Sequence, residues 1–81
     1  MRSQDVREFL RAQPFQPFRL TLTDGRTYDV RHPELAMVGR SIMAVGVPSV
    51  GEDEPIFDRL VTVSLPHIIQ AEPINAQNKP A

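Results

Sequence analysis

Apolar and polar positions alternate most clearly between residues 14 and 33, and this stretch predicts a β-hairpin. Its first strand is expected at Phe18–Leu22, where every second residue is apolar, as in a strand with one buried face. Asp24-Gly25 is a turn signal, and the returning strand is expected over residues 26–30. The hairpin is the strongest structural signal in the chain.

The length of the turn decides which side chains share a face of this hairpin. A two-residue loop would place apolar Leu20 opposite Asp29, whereas a three-residue loop over 23–25, with Gly25 in the left-handed region, pairs Leu20 with Tyr28. We therefore predict the three-residue loop and a solvent-facing ion pair between Arg19 and Asp29. The predicted core side of the hairpin consists of Phe18, Leu20, Tyr28 and Val30.

A short amphipathic helix is predicted over residues 3–12, with Ser3 as its N-cap and Asp5 in its first turn. Its apolar stripe has helical spacing and consists of Val6, Phe9 and Leu10. Proline at 14 ends the helix. The two Pro-Phe steps that follow, residues 14–18, predict aromatic anchoring of the helix to the sheet; an exposed aromatic pair that binds a peptide or a base is the alternative.

Four further apolar segments are predicted to be strands because they are short, and the β-branched residues of the segment over 56–65 support a strand there in particular. They are Leu35–Val38, Ile42–Val47, Ile56–Leu65 and Ile68–Ile74. The connections are a turn at Gly39-Arg40, an acidic loop over 48–55 and a single short turn at Pro66-His67. We therefore expect a mainly β (α+β) domain over residues 1–74, a helix followed by a five- to six-stranded antiparallel small barrel of the SH3 or Sm type, and a flexible tail over 75–81.

One long run of the chain resembles a known group of proteins. RAQPFQPFRLTLTDGRTYDVRHPELAMVGR resembles small, largely uncharacterised bacterial proteins that share an N-terminal helix, a PFxPF step, a DGR turn and a following HPE. LVTVSLPHIIQAEP is similar to their C-terminal strand, so the resemblance spans about residues 5–73. It implies no activity. A remoter resemblance to Sm-like RNA-binding proteins rests on the order of the elements.

Composition narrows the classes of function. The 81 residues carry a net charge of −1, which disfavours a dedicated nucleic-acid binder, and the absence of Cys excludes disulfides and thiolate metal sites. No apolar run is long enough for a membrane span and no signal peptide is recognisable, so we expect a cytoplasmic protein. So small a core also favours a homo-oligomer or a protein partner.

The residues that could carry chemistry are few. His32, Glu34 and His67 lack the spacing of a metal site, no serine lies in a nucleophile elbow, and no glycine-rich loop is present. We therefore expect no enzymatic activity, no cofactor and no metal. Two functions remain: a self-associating interaction module with apolar strands that need covering, such as Ile42–Val47 and Leu60–Val63, or an Sm-like RNA-binding protein. Possible partner or phosphate contacts are Arg19, Arg26, Arg31 and Arg40.

Overall fold

The computed structural model describes residues 1–48 and 56–74, which form one helix and six strands. The elements in chain order are α1 (Ser3–Arg11), β1 (Phe18–Leu22), β2 (Thr27–Val30), β3 (Ala36–Val38), β4 (Ile42–Pro48), β5 (Phe57–Ser64) and β6 (Ile68–Pro73). Two single 3₁₀ turns, Pro33–Leu35 and Leu65–His67, precede β3 and β6. The mainly β prediction and the short turn at Pro66-His67 are therefore confirmed.

The strands form two three-stranded antiparallel sheets, which we call the first sheet (β2-β1-β6) and the second sheet (β3-β4-β5). The chain passes from β2 through the 3₁₀ turn at Pro33–Leu35 into β3, so this turn joins the two sheets. Within residues 1–48 and 56–74, no ladder joins β5 to β6 and closes the strands into a barrel. The SH3 or Sm type of barrel therefore stays a prediction.

The hairpin has the predicted register. Phe18 pairs with Val30, Arg19 with Asp29, Leu20 with Tyr28, and Thr21 with Thr27. Gly25 has a φ of 91°, and its N–H donates to the carbonyl of Leu22 at 2.9 Å. The three-residue loop is confirmed, and the core side of the hairpin is buried except for Tyr28, which is half-buried.

The start of α1 differs from the prediction. Arg2 is the N-cap and Ser3 is already helical, so Ser3 as N-cap is wrong. The backbone N–H of Arg2 donates to Oδ2 of Asp5 at 3.3 Å, and the N–H of Asp5 donates to the carbonyl of Arg2 at 3.0 Å. These two bonds begin the helix one residue earlier. It also ends at Arg11 rather than residue 12.

Leu35 does not begin a strand, contrary to the prediction. Its N–H donates to the carbonyl of His32 at 3.0 Å, which closes the first 3₁₀ turn, and β3 starts at Ala36. Pro33 favours this turn because its missing N–H costs nothing at the first turn position. β1 has the predicted bounds, and each of the remaining strands differs from its prediction by one residue at one end or at both ends. Of the acidic loop, only Pro48, which ends β4, lies among the described residues; 49–55 and the predicted tail at 75–81 lie outside them.

The main core lies between the two sheets and α1. Its buried side chains are Val6, Phe18, Leu20, Leu22, Val30, Met43, Val45, Val63, Leu65 and Ile68. Phe18 is fully buried, with its ring 4.8 Å from that of Phe9 and 6.1 Å from that of Phe15, centroid to centroid. The predicted aromatic anchoring of helix to sheet is therefore confirmed. The α-amino group of Met1 also donates to the carbonyls of Leu65 and Ile68, at 3.0 and 3.3 Å.

Candidate interaction surface

Side chains alternate between core and solvent along β4, the central strand of the second sheet. Met43 and Val45 are 1% exposed and point into the core. Ala44 and Gly46 therefore lie on the opposite side of the sheet, because successive strand residues point to opposite faces. The neighbouring strands place Met37 beside Ala44 and Leu60 beside Gly46 on that same side.

A β-bulge adds Phe57 to this side of the sheet. Val47 pairs with Arg59, but the next residue of β4, Pro48, pairs with Phe57, so Asp58 is an extra residue in β5. The extra residue shifts the alternation by one position and turns Phe57 to the same side as Leu60. A Cβ added to Gly46 would lie 3.0 Å from Cβ of Phe57, which shows that Phe57 lies over Gly46.

The second sheet consequently exposes an apolar surface, which we call the outer face. Its apolar members are Met37, Ile42, Ala44, Gly46, Phe57 and Leu60, and the polar residues Thr62 and Ser64 of β5 lie on the same side beside Ala44 and Ile42. Four of the six large hydrophobic side chains that are exposed in the described part of the chain lie here: Met37 (67%), Ile42 (51%), Phe57 (52%) and Leu60 (55%). Because contiguous exposed apolar surface in a monomer marks an interaction site, this face is the leading candidate for function.

The outer face has a groove along β4, which we call the trough. Small residues, Ala44 and Gly46, form its floor, with Met37 on one side and Phe57 and Leu60 on the other. Its volume is about 210 Å³. Glu34 lies at one end and is the only charged residue that lines the trough within the described part of the chain.

Leu35 is the buried part of this surface. It is 6% exposed, yet it lies outside the main core cluster. Its Cδ2 would be 3.2 Å from a Cβ added to Gly46, so Leu35 and Phe57 together cover that glycine. The outer face is therefore a second, smaller apolar cluster in which Leu35 is buried while Phe57 and Leu60 are not.

The outer side of the first sheet has the opposite character. Arg19 on β1 lies between Asp29 of β2 and Glu72 of β6. Its Nε and Nη2 donate to the two carboxylate oxygens of Asp29 at 2.7 and 3.2 Å. These hydrogen bonds, and then the charge of Asp29, raise the pKa of the Arg19 guanidinium above its usual value. This side is polar and its charges are paired, as is usual for a solvated antiparallel sheet.

The structure does not bring the four predicted arginines to one surface. Arg19 and Arg31 meet at Asp29, where Nη2 of Arg31 lies 3.4 Å from Oδ2. Arg26 lies at the hairpin tip with its Nε 3.3 Å from Oδ2 of Asp24, and its hydrogen bond with Tyr28 and then the charge of Asp24 raise its pKa. Arg40 lies in the turn between β3 and β4, on the second sheet.

A cleft with two arginines lies between β2 and the second sheet, and its volume is about 330 Å³. It is lined by Thr27, Tyr28, Asp29, Arg31, Val47, Pro48 and Arg59, and within it Arg31 contacts the carboxylate of Asp29. Arg59 has no ion pair with any residue in 1–48 or 56–74. The cleft therefore brings Arg31 together with Arg59, an arginine that the sequence alone did not identify as a candidate contact.

The two histidines belong to different elements. His32 directly precedes the first 3₁₀ turn, and His67 is part of the second. Among the described residues, no three His, Asp or Glu side chains are grouped so that they could hold a metal ion. In the same part of the chain, every helix is too short or too polar to cross a membrane.

Sequence reasoning found Leu60 and the apolar strands but missed Met37, Phe57 and the trough. One signal was present: in β4, small Ala44 and Gly46 alternate with large Met43, Val45 and Val47. The position of Phe57 had no such signal, because it depends on the bulge at Asp58.

Comparisons of this chain with protein-family models, with curated proteins and with solved structures found no match.

Proposed function

We propose that this chain is a non-enzymatic interaction module that self-associates through the outer face of the second sheet. The observation that carries the proposal is the exposure of Met37, Ile42, Phe57 and Leu60 on one side of one sheet. An antiparallel sheet with a solvated face normally carries polar residues there. Covering this face removes apolar surface from water, which drives association.

A second copy fits the outer face because the face is nearly free of charge. The outward residues that pair across β3, β4 and β5 include no Asp, Glu, Lys or Arg. Two-fold contact of these paired residues with their copies therefore opposes no like charges, which are the usual obstacle to isologous association, and Glu34 is the one charged residue of the described chain that lines the trough. The net charge of −1 also leaves little repulsion between whole molecules.

The test is the light-scattering mass of the wild-type chain and of Leu60→Glu. The wild type is expected at twice the 9.1 kDa chain mass or more, and Leu60→Glu at 9.1 kDa, because a carboxylate on the outer face would be buried without a partner. Thr27→Glu, on the outer side of the first sheet, is the matched control and keeps the wild-type mass. Val61 is unsuitable, since it pairs with Val45 on the core side.

Circular dichroism of all three proteins must show the same fold. A wild type that remains at 9.1 kDa up to about millimolar concentration, the range of the weakest specific complexes, overturns the proposal. So does a folded Leu60→Glu that keeps the oligomeric mass.

Sm-like RNA binding is the second candidate, with the two sheets closing into a small barrel of that type. The observation in its favour is the cleft that combines Arg31 and Arg59 with the ring of Tyr28, since arginines and an aromatic ring are the groups that bind single-stranded nucleic acid. Copurified RNA would raise the 260/280 nm absorbance ratio of the light-scattering peak. Binding to a single-stranded RNA should weaken steeply with salt and with Arg59→Gln; salt-insensitive or absent binding removes this candidate.

A further inference from the structure

The shape of the outer face restricts how two copies can meet. β3 and β5 flank β4 on either side, so the two sides of the trough are about 10 Å apart, twice the spacing of neighbouring strands. Large side chains stand on both sides and small ones on the floor. Two such faces stacked in direct superposition would put large against large and leave the floors empty, which close-packed interfaces avoid.

We propose that Met37 of each copy occupies the trough of the other copy above Ala44, beside the part of the floor at Gly46 that Leu35 and Phe57 already cover. This inference rests on the proposed self-association and adds its geometry: an offset, reciprocal two-fold contact in which one side of each trough fills the other trough. In an isologous interface, if Met37 contacts Ala44 of the partner copy, the reverse contact follows by symmetry.

Met37 is the side chain best placed to be inserted. It is the most exposed large hydrophobic residue of the described chain, at 67%. Its unbranched thioether chain adapts to irregular apolar space. Phe57, in contrast, is already packed over Gly46 beside Leu35 and is held within its own trough.

The trough has room for such a side chain. At about 210 Å³ it exceeds an apolar cavity of about 150 Å³ that is known to hold a benzene molecule. Ala44 is the position at which this space is most easily filled from below, because its side chain forms the floor.

The variant Ala44→Leu distinguishes association that depends on the shape of the trough from association that depends only on apolar surface area. It makes the outer face more apolar but fills the trough, so we expect the dimer dissociation constant to rise at least tenfold. Met37→Ala is expected to weaken association to a similar degree. The double variant Met37→Ala/Ala44→Leu should bind more tightly than Ala44→Leu alone, because the inserted side chain that the enlarged floor would obstruct is gone.

A second experiment uses the absence of cysteine in the chain. Isotope-labelled Met37→Cys chains, mixed with unlabelled Ala44→Cys chains and treated with a short bis-maleimide cross-linker, are expected to form mixed cross-linked dimers. Stacked sheets lie about 10 Å apart, a distance that such a linker spans and that a direct disulfide, which needs Cα atoms within about 7 Å, does not. Mixing with Thr27→Cys instead gives the background level.

The outcomes separate the geometry from self-association itself. A folded Ala44→Leu that associates as tightly as the wild type, or more tightly, overturns the placement of Met37 in the partner's trough but leaves self-association intact. Mixed cross-linked dimers at the background level in a confirmed dimer do the same. A wild type that is monomeric in light scattering overturns both.

Discussion

Phe57 lies directly over Gly46, so closely that a methyl group on Gly46 would fit only if its neighbours moved by a few tenths of an ångström. A Cβ on Gly46 would be 3.0 Å from Cβ of Phe57 and 3.2 Å from Cδ2 of Leu35. Phe57 Cβ is fixed to the backbone of β5 and cannot swing aside. This contact joins β4, β5 and the first 3₁₀ turn, and the outer face is built around it.

Gly46→Ala should therefore destabilise the fold. Overpacking of this kind costs about 1–3 kcal/mol, and the cost should appear as a lower urea midpoint at unchanged slope. Thr62→Ala, on the same side of the neighbouring strand and exposed, is the control and should change stability much less. Equal stability of Gly46→Ala and the wild type would mean that Phe57 does not rest on Gly46.

The hairpin turn gives a prediction about Gly25. Its φ of 91° is a conformation that side chains disfavour, although the space around it is open. Gly25→Ala should cost about 1 kcal/mol of folding free energy, and Gly25→Asn less, because Asn tolerates left-handed conformations better than Ala. Thermal unfolding of the two variants checks this order of stability. If Gly25 did not need a positive φ, Gly25→Ala and Gly25→Asn would not differ in this way.

The aromatic anchor predicts unequal effects of two neighbouring phenylalanines. Phe18 is fully buried between the rings of Phe9 and Phe15, so Phe18→Ala should cost about 3–5 kcal/mol. Phe15 is only half-buried, and Phe15→Ala should cost clearly less. Urea unfolding measures the free energy of unfolding of both variants. A larger loss of stability for Phe15→Ala than for Phe18→Ala would contradict the packing of α1 onto the first sheet through Phe18.

The ion pairs of the hairpin should differ in coupling. Arg19 contacts Asp29 through two hydrogen bonds, whereas the contact of Arg26 with Asp24 is longer and more exposed. Double-mutant cycles with Gln and Asn replacements should therefore give the larger coupling for Arg19–Asp29, because two-point geometry is what makes an exposed pair contribute. Both couplings should fall as salt is added. A larger coupling for Arg26–Asp24 would contradict the observed geometry.

Local pattern was sufficient for the hairpin and for much of the strand layout. The pairing of Leu20 with Tyr28 followed from alternation and loop length, and the positive φ of Gly25 followed from the type of turn. These features involve residues close in the chain, where sequence spacing and geometry are tightly linked. The Ser3 N-cap and the strand start at Leu35 were wrong, because the Asp5 carboxylate and the backbone of His32 offered competing hydrogen bonds.

The candidate surface could be predicted only in part. Leu60 was recognised as an apolar residue in need of cover, but Val61 beside it faces the core. The predicted arginine set is divided among the outer side of the first sheet, the hairpin tip and the turn between β3 and β4. Arg19–Asp29 could be predicted because it lies within one hairpin, whereas Arg31 and Arg59 come together only through the position of β2 relative to the second sheet, which no spacing along the chain reports.

The sequence by itself determined the class of the fold, the hairpin register and the order of helix, strands and short turns. Alternation, turn residues and prolines act over a few positions, so their effects can be read locally. Only the tertiary structure decided that one sheet has a paired, polar outer side and the other an uncovered apolar face. The position of Phe57 on that face depends on a single extra residue, Asp58, and Gly46 is covered by Leu35 and Phe57. These are contacts between different elements, which the pattern within any one segment does not report.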